Sequence, residues 1–353
     1  MELVLKFDSI QVLRAIAANL VLLAHLSVIE VKYGHGVVIL PDWIGFGGAA
    51  GVNLFFVISG FVMALVARNA NWRNFIVARV IRIYPIYWFY TSLVLFVFLI
   101  RPEMVNQSFV HPPSIVKSYL LWPEDVLPLL AVGWTLIHEM YFYVVMAIFI
   151  AFAIPLRVAL SIWVLIVIAI PLLLGASSPA AAVIFHPMTL EFIAGAVIGL
   201  VVSNGFLRGG LVCLIAGLML LIVGYFFYGH GLTIANESWT RVIYLGFPFI
   251  PIVYGVVSIE RRGQWPELDW LSKLGDASYS TYLSHVLVVS VLGRFFAALP
   301  LHIFASETAF LIACLIVANV VGSLSFIFFE RPTLRWLRSG RLLAGRYTGS
   351  TAM

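Results

Sequence analysis

The sequence predicts an all-α fold, a polytopic transmembrane helical bundle of about ten spans with both termini cytoplasmic. Three observations predict it. Of the 353 residues, 62% are hydrophobic and only 10% charged, with a mean hydropathy of +1.05. A soluble globular domain carries about 25% charged residues, so a water-soluble fold is excluded. Period-two alternation over strand-length segments is absent, which argues against a β-barrel and leaves helices to satisfy backbone groups in lipid. Lys and Arg are also distributed unevenly between alternate connections. So apolar a chain can turn its surface to lipid and remain one unit. Residues 1–353 are therefore read as a single membrane domain, with a core at about 10–332 and a basic cytoplasmic tail at 333–353.

At about 20 apolar residues per crossing, the spans fall near residues 10–29, 49–68, 76–100, 132–154, 156–174, 188–204, 208–228, 241–259, 278–299 and 307–330. The first apolar stretch runs past Leu26 at spanning length, so it is expected to be a retained helix and not a cleavable leader. The Gly-rich stretch Gly45–Gly51 before the second span fits either a tight turn or close helix packing. Pro85 is expected to break or kink the third helix where it enters lipid. Glu330, Arg331 and Pro332 together read as an interfacial charge and helix stop after the last span.

With a cytoplasmic N-terminus, fifteen basic residues fall inside: Lys6, Arg68, Arg73, Arg79, Arg82, Arg157, Arg208, Arg261, Arg262, Lys273, Arg331, Arg335, Arg338, Arg341 and Arg346. The outside loops then hold only Lys32, Arg101, Lys117 and Arg241, and Arg14 and Arg294 lie within spans. This asymmetry sets the orientation. The formal charge of +5 is accounted for by that placement and does not imply nucleic acid as a partner. Cys213 and Cys314 each sit in an apolar run, so neither a disulfide framework nor a CxxC metal or redox site is expected. No internal repeat or low-complexity segment supports an array.

A charge within a span is costly, so each is a candidate for function. Arg14 and His25 lie eleven residues apart, which at ~100° per residue returns to within about 20° of one helix face, ~16.5 Å along the axis. The competing reading is a snorkelling Arg and a His bonded to a neighbouring helix. Arg79 and Arg82 share a face at i, i+3, and paired guanidinium forks suit phosphate oxygens; positive-inside residues meeting lipid headgroups account for them equally well. Glu139 falls at about the depth of His25, and a carboxylate beside an imidazole orients and activates a base. The structural alternative pairs Glu139 with His138 or a passing Arg. No His follows His138-Glu139 at zinc-protease spacing. His285 is either a second acid/base group or a packed polar residue. Glu191 and Arg294 are either channel-lining or structural.

Taken in order, these residues resemble the acyltransferase-3 family of integral membrane acyltransferases, from about Ile10 to Pro332. Arg14 and His25 match its Arg-x10-His signature, and Asn53-Leu-Phe-Phe-Val-Ile-Ser-Gly60-Phe its second-span motif. Arg79, Arg82 and Pro85 match Arg-x-x-Arg-x-x-Pro. Gly133-Trp134-Thr135-Leu136 with Glu139 and Tyr143 is similar to its Trp-Ser-Leu-x-x-Glu region, with Thr for Ser. Leu274-Gly275, Ser278-Tyr279 and Tyr282-Leu283-x-His285 match the late motif, and Glu330-x-Pro332 the ending. The Ile-Gln-x-Leu-Arg-Ala start and the lack of a fused periplasmic domain look most similar to exopolysaccharide O-acetyltransferases. One departure is that Ala78 precedes Arg79, where the family often has two adjacent basic residues before the Arg-x-x-Arg stretch.

The resemblance implies a multi-pass protein of the bacterial inner (plasma) membrane. It implies an acyl-CoA donor, usually acetyl-CoA, with no permanently bound cofactor and no metal, and a carbohydrate hydroxyl, often on a lipid carrier, as acceptor. Under that reading Arg14, Arg79 and Arg82 hold the donor. His25 acts as general base or accepts the acyl group itself, Glu139 orients His25, and His285, Trp134, Ser278 and Tyr282 are secondary candidates. Two rival classes are a transporter or flippase for a lipid-linked sugar or small anion, since charges at several depths also describe a permeation path, and a structural subunit of a polysaccharide export complex. The transporter class would favour inverted repeats and matched broken spans, neither of which is seen in the sequence.

Overall fold

The computed structural model of the chain describes residues 7–36, 38–68, 70–105, 111–174, 178–228, 238–299 and 304–339. Lys6 and the tail beyond residue 339, with Arg341 and Arg346, lie outside these. The described residues form the helices α1 (Asp8–Tyr33), α2 (Asp42–Ala67), α3 (Trp72–Ile100), α4 (Ile115–Leu120), α5 (Gly133–Ala151), α6 (Leu156–Leu174), α7 (Pro179–Ile184), α8 (Thr189–Ser203), α9 (Gly210–Tyr228), α10 (Ser238–Arg241), α11 (Phe249–Arg261), α12 (Asp269–Asp276), α13 (Ser278–Ala297), α14 (Phe304–Ser325) and α15 (Arg331–Ser339). No strand occurs among them. Wide, π-type turns at Val242–Gly246 and Phe326–Glu330 follow α10 and α14.

Among the described residues, ten helical segments are long and apolar enough to cross a membrane, each overlapping an expected span, and the protein is a multi-pass membrane protein. Three segments differ in detail. Helices α7 and α8 share one segment, Pro179–Ser203; α10, a wide turn and α11 share another; and the last runs on to Ser339 without stopping at Glu330. Pro332 sits in the first turn of α15, where a missing N–H costs little because the preceding wide turn has already shifted the hydrogen-bond ladder. Pro85 likewise lies inside a continuous α3. Of the break or kink expected there, the break is absent, because packed neighbours hold a transmembrane helix through the one hydrogen bond that proline removes.

Helix α2 is the hub and packs most extensively on α8 and α1. Close approach needs small residues, because lipid offers no hydrophobic drive and backbones must meet directly. A Cβ on Gly51 would lie 2.3 Å from the Ala17 carbonyl oxygen, and one on Gly60 would lie 1.9 Å from that of Phe192. Of the two readings of Gly45–Gly51, close packing within α2 is therefore the one realised.

Next to this seam, four aromatic rings stack in series. Phe56 lies on Phe192 (centroids 4.5 Å), Phe192 on Phe142 (4.1 Å) and Phe142 on Trp163 (5.2 Å). The series ties α2, α8, α5 and α6 together through dispersion contacts that persist in lipid. By contrast, α9 exposes Leu211, Val212, Phe226 and Phe227, as a lipid-facing helix would.

Candidate active site

A cavity of about 130 Å3 lies between α1, α2, α3, α5 and α13, room enough for several waters. Arg14, Arg79, Arg82, Glu139 and Tyr282 all line it, together with Ser59, Tyr143 and Tyr279. Helical spacing explains much of this. Arg79 and Arg82 are one turn apart on α3, and Glu139 and Tyr143 one turn apart on α5, so each pair presents a single face.

The charged groups are held in different ways. Arg82 forms an ion pair with Glu330, which is completely buried and also accepts a 2.5 Å hydrogen bond from the Ser280 hydroxyl. The Arg82 guanidinium lies 5.4 Å from the centroid of the Tyr279 ring. Glu330 is thus a buried anchor and not the interfacial charge expected. A carboxylate this deep persists because a guanidinium and a hydroxyl satisfy it together. Arg14 and Arg79 differ. Among the described residues neither guanidinium forms an ion pair or a hydrogen bond, and Arg79 Nε is buried without a partner. Arg79 instead lies between the rings of Phe75 and Tyr143, 5.9 Å from each centroid. Two guanidinium groups with unused donors around one cavity form a site prepared for an anion.

Glu139 accepts hydrogen bonds from Ser59 Oγ at 2.9 Å and from the Tyr143 hydroxyl. It makes no contact with His25, so the expected orientation of His25 by Glu139 is not what the geometry provides, and the pairing with His138 is also absent. The side chain that meets His25 is His285, whose Nε2 lies 3.3 Å from His25 Nδ1, with ring centroids 4.8 Å apart. His285 Nδ1 faces the carbonyl oxygens of Tyr282 at 2.6 Å and Thr281 at 3.2 Å. Carbonyl oxygens only accept, so this nitrogen carries the proton and the Nε2 of neutral His285 is an acceptor. His25 Nδ1 in turn donates, shared between the Val21 carbonyl oxygen at 2.9 Å and His285. The remaining nitrogen, His25 Nε2, then holds the free lone pair.

The histidine pair is one ring away from the cavity. Tyr282, on the cavity wall, has its ring centroid 5.8 Å from that of His285, and its hydroxyl lies 2.7 Å from that of Thr135. Of the other secondary candidates, Ser278 is buried with its hydroxyl unpartnered. Trp134 lies under the guanidinium of Arg241, 5.8 Å from its ring centroid.

Arg241 corrects an expectation, because it is buried and not on an outside loop. Its Nε donates to Asn53 Oδ1 at 3.1 Å, another guanidinium nitrogen donates to the Ala49 carbonyl oxygen at 2.9 Å, and Asn53 Nδ2 donates to Glu191 at 2.6 Å. The chain Arg241–Asn53–Glu191 joins a buried guanidinium to a buried carboxyl group through an amide bridge. It assigns Glu191 a structural part. Arg294 is structural too, donating to the Met104 carbonyl oxygen at 3.0 Å. His138 packs on His186, with ring centroids 4.9 Å apart.

Fold and site together define an integral membrane protein with an internal, cation-lined cavity beside a paired imidazole. The chain belongs to the acyltransferase-3 family, whose model, described as an acyltransferase domain, matches residues 7–328. The protein is a membrane acyltransferase. It is 32% identical over 320 residues to the exopolysaccharide production protein ExoZ of Rhizobium meliloti, covering 84% of this chain and 93% of that protein. It is 25% identical over 335 residues to the acyltransferase MdmB of Streptomyces mycarofaciens, covering 84% of each. No solved structure matches it.

Proposed function

We propose that the protein is an O-acetyltransferase of the bacterial inner (plasma) membrane. It moves an acetyl group from cytoplasmic acetyl-CoA to a sugar hydroxyl of an exopolysaccharide or its lipid-linked precursor. The observation that carries this reading is the convergence of Arg14 and Arg79, whose guanidinium groups make no ion pair or hydrogen bond among the described residues, on one cavity a single ring away from the His25–His285 pair. Likeness to an exopolysaccharide production protein supports the choice of acceptor.

In this reading Arg14 and Arg79 bind phosphate oxygens of the donor, and Arg82 sets the shape of that end of the cavity through Glu330. His25 Nε2 takes the proton of the sugar hydroxyl as its oxygen attacks the thioester carbonyl. The carbon–sulfur bond then breaks, and the departing thiolate takes that proton from the imidazolium, leaving an acetyl ester and free CoA. General-base assistance of this kind is worth ~10² to 10⁴ in rate. His285 fixes the tautomer and orientation of His25, and Glu139 holds the cavity wall through Ser59 and Tyr143.

The test is transfer of label from radiolabelled acetyl-CoA in membranes containing wild type or His25→Ala, with the polymer fraction assayed for base-labile label. Label with wild type alone is the expected result. Equal label with both would remove His25 from the reaction, and no label with either would remove the donor or acceptor assignment.

A further inference from the structure

The C-terminal helix α15 begins one residue after Glu330, which is ion-paired with Arg82 of α3, and from that point it packs against α3. Leu334, one turn on, is buried against the bundle, whereas Arg331, Arg335 and Arg338 are exposed. Arg338 follows Leu334 by a further turn and lies eight residues beyond Glu330, ~12 Å along the helix axis. Along α3, Arg79 lies three residues before Arg82, ~4.5 Å towards the start of the helix. The Arg82–Glu330 ion pair therefore pins two helices, and Arg79, on the cavity wall, and Arg338 lie on the same side of that pin. Arg338 is close enough to feel the charge of both Arg82 and Arg79, and no Asp or Glu among the described residues pairs with it.

We infer that Arg338 is a further donor-binding residue, the outermost of a file of guanidinium groups formed by Arg14, Arg79, Arg82 and Arg338, and that it grips the phosphate farthest from the thioester, the 3′-phosphate on the adenosine of the donor. Four guanidinium groups face two carboxylates, Glu139 and Glu330, along this file. Such an excess of like charge is unfavourable in the empty protein and is relieved by a ligand carrying several phosphates in a line. A CoA thioester has that shape, with a diphosphate between its pantetheine arm and a second phosphate at the far end. The inference rests on the acyl-CoA reading above and adds to it the site for the terminal phosphate.

The experiment compares acetyl-CoA with acetyl-dephospho-CoA, which lacks only the 3′-phosphate, as donors for wild type, Arg338→Gln and Arg335→Gln in nanodiscs of zwitterionic lipid. For wild type, removing the 3′-phosphate should raise KM about five- to ten-fold. Arg338→Gln should raise KM for acetyl-CoA by a similar factor, leave kcat alone, and abolish the distinction between the two donors. Arg335→Gln should behave as wild type. An Arg338→Gln protein that still distinguishes the two donors as wild type does would overturn the inference. So would an effect of the substitution seen only when phosphatidylglycerol is added, which would assign Arg338 to a lipid headgroup phosphate. Failure of wild type to use either donor would overturn the acyl-CoA reading itself, and this inference with it.

Discussion

His285 Nε2 lies 3.3 Å from His25 Nδ1, although 260 residues separate the two in the chain. Because His285 Nδ1 is committed to the carbonyl oxygens of Thr281 and Tyr282, the pair leaves a defined nitrogen of His25, Nε2, with its lone pair free. His285→Ala should therefore lower kcat by about 10²-fold, within the range spanned by general-base assistance, while leaving KM for acetyl-CoA unchanged. His285→Gln, whose amide can still meet His25 Nδ1, should recover part of the loss. An equal loss of donor affinity would instead assign His285 to the donor site.

Arg82 and Glu330 form a buried ion pair, so removing one partner should cost more than removing both. Arg82→Gln leaves a carboxylate buried with only the Ser280 hydroxyl, a loss on the order of 3–5 kcal/mol. The double variant Arg82→Gln/Glu330→Gln should regain most of that stability without regaining donor affinity. Thermal unfolding in detergent, read beside KM for the donor, separates the two effects.

Gly246 closes a wide turn against Glu191, and a Cβ there would lie 2.0 Å from Glu191 Oε1. Gly246→Ala should destabilise the protein by about 1–3 kcal/mol, the usual cost of overpacking. Adding Glu191→Ala should relieve the clash while breaking the chain to Asn53 and Arg241. The double variant should then be less unstable than the two single effects combined, as a double-mutant cycle on the unfolding midpoint would show.

Phe142 is sandwiched between Phe192 and Trp163. Phe142→Ala should cost about 3–5 kcal/mol, because the lost contacts are dispersive and lipid cannot replace them inside the bundle. Donor KM should change little in protein that remains folded, since Phe142 does not line the cavity.

The spans were legible because length and hydropathy suffice to mark a crossing. Local spacing likewise carried the shared faces of Arg79 with Arg82 and of Arg14 with His25. It could also have shown Tyr143 as a partner for Glu139, one turn away on the same face. Contacts between distant spans were not legible. Nothing local to His25 selects His285 over Glu139 as its neighbour, since depth in the membrane is a single coordinate and the angle between helices is not encoded nearby. The burial of Glu330 and Arg241 was not legible either, because each lies at the end of an apolar run, where a charge can equally face water. Their actual partners, Arg82 and Asn53, are 248 and 188 residues away. The rule that makes Pro85 a helix breaker holds for soluble helices and omits the neighbours that hold a transmembrane one.

The wide turn Phe326–Glu330 closes its hydrogen bonds one residue later than an α-turn would, which sets the angular phase of everything after it. Rewinding the same residues as a regular helix would rotate α15 by about 100° about its own axis. Leu334 would leave the bundle and Arg338 would leave the side of α3. In this chain the hydrogen-bond register of one turn, more than the identity of any residue in it, governs whether the last helix faces the cavity or the surrounding medium.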